Sequence, residues 1–357
     1  MKAAVWHARR DIRIEDFPDP PGPAEKQIKI KVDWCGICGT DLEEYVYGPL
    51  YIPVAKPDEL TGRQAPLVIG HEFVGTIVEV GPHATGFTVG ERVAPDTLLF
   101  CGECWACKQH LVHQCQKLSI LGLMTDGGCA EYANVPTYMC FKLPPNVPSE
   151  AGALAEPAAV AVRAVRTAGV GLGDTVAVVG GGTIGLLCLQ VALVAGASAV
   201  HVIELEEKRR NLARHLGATL TVDPLATDPV EAIMESTRGR GADVVIEAGG
   251  NEKTMSLAPQ LARPQGTVVI VGLHNEPVRI NLFPVVCREI SIRGSFSHIY
   301  DVDFSEAVAL LGAGKLQADP LITARLGIDD LVEHGLEELL RNKAEHLKIL
   351  ISPQKQR

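Results

Sequence analysis

Along this chain the apolar positions change their period partway. Up to about residue 155 they alternate with polar ones, as in Ile28-Lys29-Ile30-Lys31-Val32 and again over residues 73–80, with Gly and Pro at the turns. That alternation predicts a mainly β segment. Residues 47–66, rich in Pro and Gly and without a clear period, read as a surface loop bordering a site. Beyond residue 174 the apolar positions gather into short unbroken runs separated by helical stretches: Val176-Ala177-Val178-Val179, Ala199-Val200-His201-Val202-Ile203, Asp243-Val244-Val245-Ile246-Glu247, Val268-Val269-Ile270-Val271 and Ile290-Ser291-Ile292-Arg293. Such runs are the pattern of fully buried parallel strands with helices between them. Residues 150–168, opening with Ser149 as a plausible N-cap, read as one helix. From about His298 onward, helices over residues 304–312 and 329–340 alternate with short strands. This tail is too small for a third domain and is expected to rejoin the first.

The first buried run leads directly into Gly180, Gly182 and Gly185 at G-x-G-x-x-G spacing, with Thr183 and Ile184 inside the motif. A helical stretch follows, Gly196 suits its C-cap, and the next strand ends on Glu204, 19 residues after Gly185. Strand, tight turn, helix, strand and acid together form the dinucleotide fingerprint in its required context. Glycines are needed because the turn is sharp and the backbone must approach a pyrophosphate at the positive end of the helix. Glu204 can accept a hydrogen bond from a ribose 2′-hydroxyl and would repel a 2′-phosphate, which favours NAD. Lys208, Arg209 and Arg210 follow closely and keep NADP open. Val271-Gly272 and Ser295-Phe296 lie just past the carboxyl ends of later strands, where ligands of such sheets bind, so they are candidates to line the nicotinamide. Glycine at a strand end also serves simply to turn the chain.

Length and charge narrow the class. At 357 residues the chain suggests about two domains, and a formal charge of −10 argues against a nucleic-acid partner. The N-terminus lacks the apolar core of a signal peptide, and the most apolar stretch, residues 186–203, is broken by Gln190, Gly196, Ser198 and His201. A soluble cytoplasmic protein is the expectation.

Ten cysteines then change the picture, because Cys101, Cys104, Cys107 and Cys115 are packed into 15 residues. Four thiolates so close can close one tetrahedral shell, the signature of a structural zinc. An iron–sulfur cluster is the alternative, although ferredoxin spacings differ. His110 and His113 within this lobe read as surface residues. Cys129, Cys140, Cys188 and Cys287 read as small buried hydrophobes. Cys35-Gly36-Ile37-Cys38 could be redox-active or half of a zinc knuckle. Gly70-His71-Glu72 adds histidine and carboxylate from a separate loop, the ligand types a catalytic zinc uses. A lone histidine beside a strand is more often structural. Glu156, an acid among alanines, is either paired, bound to metal, or a solvated helix-face residue.

Taken together, these residues resemble the zinc-dependent medium-chain dehydrogenase/reductase family across essentially the whole chain. Within it, the stretches CGICGTDLEEY, GPLYIP, DELTGRQAP and GHEFVG look most like the butanediol dehydrogenase branch, with polyol (sorbitol) and threonine dehydrogenases next. The resemblance implies an α/β protein in which a GroES-like β-rich catalytic domain, residues 1–157 and 298–357 with a zinc lobe at about 96–118, is interrupted by a Rossmann doubly wound parallel sheet over residues 158–297. By the same resemblance the active site lies in the cleft between them. Cys38 and His71 would be catalytic zinc ligands, Glu72 and Glu156 the carboxylates that complete the shell directly or through water, and Cys35 a non-ligand. Asp41 would orient His71, and Thr40 would hydrogen-bond the substrate oxygen. A homotetramer or homodimer with two zinc ions per subunit is implied.

Two departures bear on the chemistry. Where many relatives continue the first motif Asp-Leu-His, this chain has Asp41-Leu42-Glu43, so Glu43 is the expected next station for the substrate proton. Where sorbitol dehydrogenases often have Phe-Arg-Tyr, it has Phe296-Ser297-His298, which fits a small or less polar diol better. The resemblance thus implies an NAD-dependent secondary-alcohol dehydrogenase, with 2,3-butanediol/acetoin ahead of threitol, xylitol, sorbitol or threonine. Two other classes compete: a zinc-free dinucleotide-binding protein, against which the coexistence of Cys38, His71, Glu72 and Glu156 argues, and a zinc-lobe interaction module, which would leave the fingerprint unexplained.

Overall fold

The computed structural model describes residues 1–274 and 276–354. Its chain divides into two compact units: residues 1–156, 299–313 and 318–357 in one, and 157–298 with 314–317 in the other. The short return of residues 314–317 to the second unit is fixed by Gln190, whose amide accepts from the Gln317 N–H at 2.7 Å and donates to the Gln317 carbonyl at 3.4 Å.

In the first unit, β1 (Lys2–Ala8), β2 (Asp11–Asp16), β3 (Gln27–Gly36), β4 (Leu67–Val68), β5 (Glu72–Val80), β6 (Arg92–Pro95), β7 (Leu98–Leu99), β8 (Ser119–Ile120), β9 (Tyr132–Pro136) and β10 (Cys140–Lys142) follow in order. The alternation of β3 buries Ile28, Ile30 and Val32 against Trp6, Phe73 and Ile77. Each such side chain contributes about 1.5–3 kcal/mol on leaving water. One turn of chain beyond β3, the helix α1 (Gly39–Tyr47) begins with Cys38 at its N-cap. The Asp41 carboxylate accepts the Cys38 N–H at 2.8 Å, closing a capping box.

In the second unit, β11 (Thr175–Val179), β12 (Ala199–Ile203), β13 (Leu220–Val222), β14 (Ala242–Glu247), β15 (Ala262–Ile270) and β16 (Ser291–Gly294) form a parallel sheet ordered β13-β12-β11-β14-β15-β16. Every residue of β11 is buried, as an unbroken apolar run requires. Strand order reverses between β11 and β14, the switch point outside which ligands of doubly wound sheets bind.

The tail then supplies β17 (Ile322–Gly327) and β18 (Lys348–Ser352) to the first unit's larger sheet, ordered β10-β6-β5-β3-β18-β17 with β9 also on β3. No helix among the described residues is long and apolar enough to cross a membrane.

Four sequence expectations need correction. The run at residues 290–293, read as a fully buried strand, leads into β16, whose four residues are all exposed because among the described residues it is the edge of its sheet. The helix expected over residues 150–168 is two, Ser149–Gly152 and Ala155–Ala168, and the first is capped by Pro148 because the Ser149 hydroxyl is spent on Asp33 at 2.9 Å. His113 is buried at 4% exposure in a single 3-10 turn, too short to show a period that would mark its inner face. Cys287 is exposed, because it ends a five-residue helix, Phe283–Cys287, whose apolar Phe283 and Val286 also face out.

Candidate active site

Pairing of β3 with β5 brings together what the sequence separates. Gly36 lies opposite Glu72 in that ladder, so Cys38, two residues past β3, meets His71, one residue before β5. The Cys38 sulfur, a His71 ring nitrogen and a Glu72 oxygen all lie within 4.8 Å of one another. Backbone fit is tight here: a Cβ on Gly36 would overlap the Glu72 carboxylate, and one at Gly70, whose φ is +96°, would crowd both Cys35 and Cys129 sulfurs at 2.6 Å. Cys35 itself is fully buried with its sulfur 3.3 Å from that of Cys129 and forms no part of the cluster.

His71 is held from behind by Asp41, whose Oδ1 lies 3.4 Å from Nδ1. Neither atom has another hydrogen-bond partner. Burial works against a charged imidazole, yet the adjacent Asp41 and Cys38 outweigh it and raise the His71 pKa well above its ordinary value. The donor set itself fits a metal: a soft sulfur, an imidazole and a carboxylate are zinc's donor types. The residues fit the metal. The Thr40 hydroxyl lies 3.7 Å from the Cys38 sulfur.

One residue escaped the sequence reading. Lys348, the first residue of β18 and only 4% exposed, donates to Glu72 Oε1 at 2.7 Å and Oε2 at 2.5 Å, and to the Ile37 carbonyl at 3.0 Å. Burial lowers its pKa, but Glu72, then Cys38, raise it more, so the ammonium is retained. A lysine opening the apolar strand KILIS was the available signal. Glu156 is not among the converging ligand atoms. It sits half-buried in the first turn of the helix Ala155–Ala168, near enough to add to the field on Lys348. A helix N-terminus favours a carboxylate there without any metal.

The four-cysteine lobe is compact. Neighbouring sulfurs are 3.5 Å (Cys104–Cys107, Cys101–Cys115) and 3.9 Å (Cys101–Cys107, Cys104–Cys115) apart. A tetrahedron with zinc–sulfur legs of about 2.3 Å has edges of about 3.8 Å, so the shell fits. Backbone N–H groups of Glu103 and Cys104 favour the Cys101 thiolate, and backbone N–H donors bring Cys104 down to about 6. Burial carries Cys107 up to about 12. His110, exposed, pairs with Asp301 at 2.8 Å, beside stacked Phe100 and Tyr300.

In the second unit the fingerprint is shaped for a backbone-held ligand. Gly180 has φ +103°, and a Cβ there would meet the Gly249 N at 2.9 Å across the switch point. A Cβ on Gly185 would overlap the Gly180 carbonyl, whereas one on Gly182, the N-cap of the helix Thr183–Val194, would meet nothing within 4 Å. That open N-terminus, bearing Thr183 and Ile184 in its first turn, suits a pyrophosphate. Glu204, at 8% exposure, accepts from the Gly181 N–H at 2.6 Å and the Glu206 N–H at 2.9 Å. Arg210 secures this strand end, donating to the Glu204 carbonyl at 2.9 Å and pairing with Asp223 at 3.0 Å. Arg209 sits half-buried on the same helix. Glu247, unremarked in the sequence although it ends β14 as Glu204 follows β12, takes the Gly249 and Gly250 N–H groups at 2.8 Å. Its carbonyl receives Val271 N–H at 2.9 Å and Gly272 N–H at 3.1 Å. Ser295 donates its N–H to the Ile270 carbonyl at 2.9 Å and is followed by half-buried Phe296.

A β-rich unit with a Cys–His–Glu cluster and a four-sulfur lobe, joined to a parallel-sheet unit carrying a dinucleotide fingerprint, defines a metal-dependent dehydrogenase. The chain belongs to the zinc-binding alcohol dehydrogenase family. Residues 24–145 match the alcohol dehydrogenase GroES-like domain and residues 183–313 the zinc-binding dehydrogenase domain. Among relatives, (R,R)-butanediol dehydrogenase of Bacillus subtilis is 39% identical over 354 residues, covering 99% of this chain and 100% of the relative. L-threonine 3-dehydrogenase of Pyrococcus furiosus is 36% identical over 91% of each chain. The crystal structure of 2R,3R-butanediol dehydrogenase from Bacillus subtilis superposes with a TM-score of 0.92 at 38% identity, covering 99% of both chains.

Proposed function

We propose that this chain is an NAD-dependent zinc dehydrogenase of secondary alcohols, acting on a vicinal diol such as 2,3-butanediol and its ketone, acetoin. The convergence of Cys38, His71 and Glu72 carries the reading, and kinship along the full length to a butanediol dehydrogenase supports the substrate. Zinc would polarise the substrate hydroxyl as a Lewis acid and the nicotinamide would accept hydride.

The chain's own residues supply the rest. Cys38 and His71 hold the metal, with Glu72 and Glu156 as nearby carboxylates, and Asp41 fixes the imidazole so that its other nitrogen faces the site. Thr40, one residue into α1, takes the hydroxyl proton. Glu43 stands one helical turn further along the same face and passes that proton outward. Gly180, Gly182, Thr183, Ile184 and Gly185 receive the pyrophosphate, Glu204 the adenosine ribose, and Arg209 the edge of that pocket. Val271, Gly272, Ser295 and Phe296 line the nicotinamide. Cys101, Cys104, Cys107 and Cys115 hold a second, structural zinc. A cytoplasmic setting suits thiols that must stay reduced to bind metal.

A homo-oligomer completes the reading. Among the described residues β16 pairs only with β15, all four of its residues are exposed, and Phe283 and Val286 stand 74% and 73% exposed just upstream. An open edge beside apolar side chains suits a second copy placed about a two-fold axis.

The deciding experiment measures NAD⁺ reduction against 2,3-butanediol, longer polyols and threonine, before and after chelation. Turnover of butanediol that chelation abolishes is expected. Silence across the panel, with zinc bound only at the four cysteines, would refute the assignment.

A further inference from the structure

We infer that Glu247 is a positioning residue for the dinucleotide: its buried carboxylate holds the turn after β14 against the fingerprint turn after β11, and so sets the affinity for NADH. The inference rests on the reading of Gly180, Gly182 and Gly185 as the seat of the cofactor's phosphates. Glu247 is the last residue of β14 and is 0% exposed. A carboxylate so deep must be answered by donors. Here Oε1 accepts the N–H groups of Gly249 and Gly250, both at 2.8 Å. Oε2 has no hydrogen-bond partner among the described residues, and it would stand 2.7 Å from a Cβ placed on Gly272. From the far end of the turn, Asn251 caps the helix Glu252–Leu261 by accepting the Thr254 N–H at 3.1 Å. Residues 248–250 are thus pinned at their start by Glu247 and at their exit by Asn251.

What the carboxylate holds is enclosed on both sides by backbone. Toward β11, the Ala248 N–H donates to the Val179 carbonyl at 2.9 Å, and a Cβ on Gly180 would stand 2.9 Å from the Gly249 nitrogen. Toward β15, the Glu247 carbonyl accepts the Val271 and Gly272 N–H groups, and a Cβ on Gly272 would overlap the Gly250 nitrogen. Glycine therefore meets glycine at each face, Gly180 against Gly249 and Gly272 against Gly250. No side chain lies between them to absorb a shift, so a displacement of residues 248–250 is passed to the Gly180 turn. That turn carries the carbonyl on which Gly185 packs and leads directly to Gly182, the N-cap of the helix Thr183–Val194. β11 and β14 also flank the switch point, so the held turn is one lip of the crevice in which such sheets bind ligands. One charge, by fixing that lip, fixes the shape of the phosphate seat beside it.

The test compares wild type with Glu247→Gln, which keeps an acceptor oxygen for both N–H groups, and Glu247→Met, which keeps the bulk of the side chain and offers no oxygen. Before NADH is added, hydrogen exchange should show the Gly249 and Gly250 amides protected in wild type and Glu247→Gln, and exchanging at least about tenfold faster in Glu247→Met. Fluorescence titration should give a Kd for NADH that rises about tenfold in Glu247→Met and stays within about twofold of wild type in Glu247→Gln. KM for NAD⁺ should follow Kd while kcat at saturating NAD⁺ does not fall. If Glu247→Met does not fold, Gly249→Ala takes its place. Its methyl would stand 2.7 Å from the capped Thr254 side chain and push the same turn with the carboxylate intact, so the same tenfold loss is expected. Unchanged exchange, or faster exchange with NADH affinity intact, would overturn the inference. An affinity loss in Glu247→Gln equal to that in Glu247→Met would also overturn it, tracing the effect to charge instead of position. Wild type that binds no NADH would refute the fingerprint reading itself, a result no variant can produce.

Discussion

Lys348 and Glu72 form a buried ion pair, their side chains 4% and 1% exposed, at the edge of the metal cluster. β18 delivers the lysine and β5 the glutamate, strands that each pair with β3 but lie on opposite sides of it. Removing only the cation would leave an uncompensated buried carboxylate, which costs about 3–5 kcal/mol. Lys348→Met should therefore lose stability on that scale in denaturant unfolding. Lys348→Met combined with Glu72→Gln should recover most of it, since no charge is then left alone. If the double variant is as unstable as the single one, the loss comes from packing of the lysine stem and not from the pair.

His201 gives a second, pH-dependent prediction. It lies in the middle of β12 at 3% exposure, its Nε2 is 3.2 Å from the Ser236 hydroxyl, and its Nδ1 has no partner. Burial holds its pKa below the ordinary histidine value. The unfolded chain therefore binds the proton first, and stability falls as pH drops through about 6.5. His201→Leu removes that proton uptake. The stability gap between wild type and the variant should shift against wild type below about pH 6.5 and stay flat above it. A gap independent of pH would show that His201 binds protons equally in the folded and unfolded states, so that burial does not lower its pKa.

Much of this was legible in the chain because it is local. The fingerprint needs only a strand, three glycines, a helix and an acid in one short stretch, and an all-buried parallel strand such as β11 shows as a bare apolar run. The four cysteines are local too. What sequence could not show depends on strand pairing over long separations. Lys348 reaches Glu72 because the tail's last strand lands on β3, and no period announces that partner. Glu247 was invisible as a support for a different reason: its donors are backbone N–H groups, which every turn has. His113 and Cys287 depart from the pattern because elements of three and five residues are too short for periodicity to mark an inner face.

The four-sulfur lobe predicts a separable metal. Its sulfurs belong to one short segment, anchored by Phe100 and Tyr138 at 5.2 Å and by Phe100 and Tyr300 at 5.7 Å. Cys104→Ser should lower bound zinc from two per chain to about one and cut thermal stability, because a structural site's binding energy is folding energy. Cys38→Ser should also remove one zinc but abolish turnover with much less effect on melting. Metal analysis alongside calorimetry separates the two, and an unchanged zinc content in Cys104→Ser would remove the lobe from the metal count.

Gly182 and Gly185 make the last contrast, because the same added methyl meets different surroundings three residues apart. At Gly185 it would overlap the Gly180 carbonyl, so Gly185→Ala must move the turn out of shape; at Gly182 it meets nothing within 4 Å. Gly182 also has φ −71°, which any residue adopts. Gly182→Ala should therefore fold and melt like wild type, yet its methyl would fill the space at the helix N-terminus where a pyrophosphate must come close. The expected result is a rise of about tenfold or more in the Kd for NADH, a cost of about 1.4 kcal/mol, with both zinc ions retained. Gly185→Ala should lose cofactor affinity and several degrees of melting temperature together. Undiminished NADH binding by a well-folded Gly182→Ala would mean that the phosphates do not sit on this helix.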